Sequence, residues 1–153
     1  MTVRVEEESV REALALEAAA LRDAVADPAA RAGYDELARA LAEGAVAERL
    51  EPPLERLLEL TLRTGRVRRL HGPHAEAAAI RLYQATPTGR AVAAALAEVN
   101  AALGALGGRT LERLAFSAKA PGAYLLALTT PGATLTLEIG PDGVSVRELG
   151  VGD

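Results

Sequence analysis

The chain contains no cysteine and no tryptophan, and its 153 residues include only one phenylalanine and three tyrosines. Without cysteine there is no disulfide, no thiolate nucleophile and no cysteine-ligated zinc, a usage that suits a reducing, cytoplasmic setting. With so few aromatics the core must be packed from Leu, Val and Ala, and the large rings that dominate binding hot spots are scarce. Lysine is nearly absent as well: sixteen of the seventeen basic residues are arginine, Lys119 being the exception. No segment reaches the roughly 18 uninterrupted apolar residues of a membrane span, and the first eleven residues are acidic where a secretory signal would be basic. The expectation is a soluble, unprocessed cytoplasmic protein with no membrane contact.

What is present is a change of hydrophobic period at Gly107 and Gly108. Before that pair apolar residues recur at helical spacing, and after it they alternate with polar ones between Pro and Gly turns ten apart. The fold class expected is therefore α+β, with about five helices followed by a four-stranded antiparallel β-meander packed on the last helix. A single domain over residues 1–153 is expected, helical over residues 1–107 and a meander over residues 108–153, with one compact core.

Within the helical region, Val10, Leu14, Glu17, Leu21 and Val25 give the stripe of a first helix from about Val5 to Ala26. Asp27-Pro28 reads as N-cap and first helical residue of a second helix, which runs to Gly44 with Ala30, Tyr34, Leu37 and Leu41 on one face. A third helical segment, Ala45 to Glu51, is expected to stop at Pro52-Pro53, and a fourth to present Leu54, Leu57, Leu58 and Thr61 before Gly65 ends it. Pro73 can open a short helix carrying Ala77, Ile80 and Tyr83. Thr86-Pro87 then starts a helix to Leu106 whose only charge between Ala91 and Gly108 is Glu98. A helix this poor in polar residues is covered on more than one face, so it is either the central helix of the domain or a subunit contact, and Val92, Leu96, Val99 and Leu103 are candidate oligomer contacts.

In the meander, Leu114, Phe116 and Ala118, then Tyr124, Leu126 and Leu128, then Leu135, Leu137 and Ile139, then Val144 and Val146 fall on one side of four strands. Thr134, Thr136 and Glu138 fall on the other, the pattern of a sheet with one buried and one wet face. Pro121-Gly122, Pro131-Gly132 and Pro141-Asp142-Gly143 supply the turns.

Catalytic chemistry finds little support. His71-Gly72-Pro73-His74 holds both histidines, but Gly-Pro turns the chain and gives them no shared helical face, and neither a cysteine nor a convincing third acid lies nearby. Glu6, Glu7, Glu8 and Glu12 lie in the first turns of a helix, where negative charge suits the dipole. Gly104, Gly107 and Gly108 end a helix instead of opening one, so they form no phosphate loop. No catalytic residue, metal ligand or cofactor is expected.

Charge is segregated. Residues 1–60 carry fourteen acids against seven arginines, residues 61–90 carry six arginines against Glu76, and residues 91–153 carry six acids against four basic residues. The middle is a basic island, neutralised by the acidic helices or offered to an acidic partner. Leu54 to Leu62, Thr64-Gly65-Arg66-Val67-Arg68-Arg69, the turn at Gly72-Pro73, Ile80-Arg81-Leu82 and Thr86-Pro87-Thr88-Gly89-Arg90 together resemble a winged-helix regulator of the multiple-antibiotic-resistance type. The resemblance implies Arg56 and Arg63 on or beside a DNA-recognition helix, Arg66, Arg68, Arg69 and Arg81 on a β-wing, and a dimerisation helix from Thr86 onward. The leading expectation is a non-enzymatic protein–protein interaction or assembly protein, an accessory subunit or adaptor that is oligomeric. Arg63, Arg66, Arg68, Arg69 and Arg81 are its candidate partner or nucleic-acid contacts.

Overall fold

Asp27 begins the second helix as its sequence requires: its carboxylate accepts from the Ala30 N–H at 2.8 Å, and Pro28, which has no N–H to lose, follows it. The computed structural model in which this is seen describes residues 3–152. It parts into two units, one ending at Gly89 and one beginning at Arg90.

The first unit holds β1 (Val3–Arg4), α1 (Glu8–Ala24), α2 (Pro28–Glu43), β2 (Ala45–Val46), α3 (Glu51–Arg63), α4 (Arg66–Ala85) and the first turn of α5 (Pro87–Gly104). Its core is aliphatic, as the shortage of aromatics demands. Val10, Leu14 and Ala18 of α1, Leu37 and Leu41 of α2, Leu54, Leu57 and Leu58 of α3 and Ala79 of α4 are essentially without solvent contact.

Three expectations are corrected by this unit. The first helix starts at Glu8, because Val3–Arg4 is extended and pairs antiparallel with Ala45–Val46. Residues 45–51 accordingly do not form a helix of their own. Gly44, at φ 82, closes α2 by donating to Ala40 and Leu41, its carbonyl takes the Val5 N–H at 3.0 Å, and the chain leaves extended. After a single 3-10 turn at Glu48–Leu50, α3 begins at Glu51, so Pro52 and Pro53 stand in its first turn and do not break it. Finally, the β-wing that the resemblance implies at Arg66, Arg68, Arg69 and Arg81 is not formed; the helix expected from Pro73 is, and helix extends back to Arg66. Gly65, at φ 64, separates α3 from α4, and α4 is helical from Arg66 except at Gly72 (φ 86, ψ 173), after which Pro73 restarts it.

The second unit carries α5 from Arg90 and the sheet β3 (Arg113–Ala120), β4 (Ala123–Thr130), β5 (Ala133–Gly140) and β6 (Gly143–Val151), in the order β3-β4-β5-β6. Gly122 and Gly132, at φ 78 and 76, follow Pro in two-residue turns that only a positive φ closes. The register sets Phe116 opposite Leu126, Leu126 opposite Leu137 and Leu137 opposite Val146, so the apolar set of every strand shares one face. A bulge between Thr136 and Leu137 keeps Leu149 opposite Leu135 and Val151 opposite Ala133 on that same face. Val99 and Ala102 of α5 pack on Leu135 and Leu137. The expected meander on the last helix is thus formed. The interior, however, is two clusters, one per unit, where one core was expected. No helix among the described residues is long and apolar enough to cross a membrane.

Candidate interaction surfaces

The basic island is largely tied down inside the first unit. Arg66 donates its Nε–H to Oε2 of Glu17, a residue of α1 that is only 3% exposed, and the His71 Nε2 stands 2.9 Å from the other oxygen of that carboxylate. Both oxygens of a buried acid are therefore engaged by α4, which is what a buried carboxylate requires. Arg68 pairs with Glu76 at 2.9 Å and Arg63 with Glu59 at 3.1 Å, one turn back on its own helix. Arg81 borders a hollow of about 330 Å³ shared with Arg4, Glu6 and Glu7. Arg56 and Arg63 lie with Glu59, Leu60 and Thr64 around a second hollow on α3. Of the arginines in residues 61–90, Arg63 and Arg66 thus pair with carboxylates of the acidic helices and Arg68 with Glu76 of its own segment.

The histidines do not converge. His71 faces Glu17 on one side of the Gly72 kink, and His74 places its Nε2 on Glu7 on the other. The hydrogen bond from His74, with a smaller one from the Ser9 hydroxyl, holds the Glu7 carboxyl below the usual glutamate range. Among the described residues there is no group of three or more His, Cys, Asp or Glu side chains able to hold a metal ion.

The sequence places Glu17 on the stripe of the first helix but does not reveal its partners. Its signal was an acid on the apolar stripe of α1, midway between Leu14 and Leu21. Such a residue reaches a buried position only with a cationic partner, and the partners lie 49 and 54 residues away.

The second surface belongs to the sheet unit. Of the four residues expected to make subunit contacts, Val99 is buried against its own sheet and Val92 is half-buried, while Leu96 and Leu103 are exposed. On the apolar face of the sheet, Leu114 and Phe116 are 60% and 62% exposed and Tyr124 is 40% exposed. The Phe116 and Tyr124 rings stack obliquely, their centroids 5.7 Å apart. At the other flank Leu149 and Val151 are open too. Comparison with protein-family models, curated proteins and solved structures found no match.

The opposite face carries the charge. Glu138 of β5 accepts from Lys119 of β3 at 2.7 Å and from Arg147 of β6 at 2.9 Å, a cross-strand network on the wet side. The hydrogen bond from Lys119 leads in holding the Glu138 carboxyl below its ordinary value, with Arg147 adding to it. One face of the sheet thus carries a charged network centred on Glu138, and the other is apolar and covered only in its middle.

Proposed function

We propose that the chain is a non-enzymatic assembly or interaction protein, working in the cytoplasm, that engages its partner through α5 and the apolar face of the β3–β6 sheet. The observation that carries this reading is the exposure of Leu114 and Phe116 beside a helix that is apolar nearly all round. Exposed apolar surface of this extent marks an interaction site more often than a bare surface. The basic island contributes less to this reading, because Arg63, Arg66 and Arg68 already have carboxylate partners.

Because Leu114 and Phe116 are exposed within the chain, charge placed there leaves folding intact while spoiling an apolar interface. The test is the native mass of the protein in extracts of its own cells, compared with that of a Leu114→Glu, Phe116→Glu variant. The parent should run well above its 15.9 kDa chain mass and the variant at it. A parent that runs as a free monomer, or a variant that keeps the parent's mass, overturns the reading.

A further inference from the structure

We infer that the occupant of this face is a second copy of the same face, with two α5 helices lying side by side between two sheets; the inference rests on the assembly reading above. Widths decide it. Four strands spaced about 4.8 Å apart make a face about 19 Å wide, and a helix with its side chains covers about 10–12 Å of it. One helix therefore covers roughly half the sheet. The structure shows this deficit directly: Val99 and Ala102 cover Leu135 and Leu137, while Leu114, Phe116 and Tyr124 are left open on the β3–β4 side and Leu149 and Val151 on the β6 side.

The helix has the complementary deficit. A helix hydrophobic all round is buried all round, yet of α5 beyond Arg90 only Val99 and Ala102 are buried. Each sheet lacks the width of one helix, and each α5 lacks a second sheet. A two-fold related copy supplies both at once, since an isologous contact repeats each half of the interface. No charged residue stands on the apolar side of any of the four strands. Nothing on the face repels its own image, and nothing there complements a charged partner.

The area agrees. A fully exposed large side chain offers about 200 Å². Leu96, Leu103, Leu114, Phe116, Tyr124, Leu149 and Val151, each 37% to 64% exposed, then present roughly 700 Å², close to the share of about 800 Å² that one partner gives to a standard interface. A typical monomer's largest apolar patch is smaller, about 300–600 Å².

The experiment is sedimentation or light scattering of the purified full chain at micromolar concentration, with three variants checked for unchanged far-ultraviolet dichroism. The parent should show twice its 15.9 kDa mass. Phe116→Glu on the sheet and Ala97→Glu on the outer side of α5 should each return it to monomer, and Ser117→Glu, on the opposite face of β3, should leave the dimer intact. A dimer that survives Ala97→Glu overturns the layered arrangement, and one lost in Ser117→Glu overturns the choice of face. A purified parent that stays monomeric overturns the second copy as occupant. If that parent still runs in a larger complex in native extracts, and Leu114→Glu, Phe116→Glu abolishes the complex, the assembly reading stands without this inference.

Discussion

Glu17 and Glu59 each meet an arginine, and the two pairs differ in what surrounds them. Glu17 is buried and held by Arg66 and His71, whereas Glu59 and Arg63 are both largely in water. Arg66→Ala leaves a buried carboxylate with a single imidazole for a partner and should cost about 2–3 kcal/mol, the lower end for a broken buried pair because Arg66 itself is half in solvent. Arg63→Ala should change stability by no more than about 0.5 kcal/mol. Urea denaturation of both variants measures the difference, and equal costs would show that Glu17 is solvated. Glu138 makes a prediction about pH. Its carboxyl is depressed below the usual value near 4.5 by Lys119 and then Arg147, so its contribution to stability is fully present above that value and is lost as pH falls from it through the depressed one. Glu138→Gln should therefore be less stable than the parent at about pH 6 and approach it at about pH 3; a gap that is constant with pH contradicts the ion-pair account.

At the scale of elements, two helical glycines should respond to alanine with opposite signs. Gly33, in α2, has open space where a Cβ would go, so Gly33→Ala should stabilise by about 0.5–1 kcal/mol. Gly89 lies where α5 crosses the end of α4, and an added Cβ would sit 1.8 Å from the Tyr83 carbonyl oxygen. Gly89→Ala should destabilise by on the order of 2 kcal/mol, because backbone must move to admit it. Thermal melts of the two variants decide both signs. The Thr86-Pro87 cap was legible in the sequence because capping is local chemistry; the close approach at Gly89 was not, because it depends on where α4 ends in space. The same distinction explains the helix expected over residues 45–51. Ala, Glu, Arg and Leu favour helix locally, but the extended partner strand begins at Val3, and tertiary pairing overrides propensity. A two-residue strand has no period to read.

For the molecule as a whole, the meander was the most legible region, since turns at fixed spacing set its register and alternation set its faces. How much of the apolar face is covered was not legible. Alternation names the side that seeks burial, and the width of a single helix decides how much of that side one helix can supply. The division into two units was hidden for a related reason. Domain boundaries are sought in linkers, and here the boundary between Gly89 and Arg90 falls inside α5, where the sequence is continuous helix. The charge island was legible as a block, but its partners Glu17 and Glu7 are far away in the chain, so its neutralisation was legible only as one of two outcomes.

The start of α5 has a consequence for the order of events as the chain is made. Pro87 has no N–H, the Thr88 N–H and hydroxyl both donate to the Glu55 carboxylate, and the Gly89 N–H donates to the Thr86 hydroxyl. The costly first turn of the helix is thus assembled by residues that leave the ribosome before any strand of the meander exists. A helix whose first turn is held in this way should form before the strands of the meander are made. Glu55→Ala should accordingly slow the appearance of protected amides in β5 during refolding while leaving their rate of loss on unfolding nearly unchanged; pulsed hydrogen exchange reads both rates, and an unaltered refolding rate would show that the helix nucleates without its neighbour.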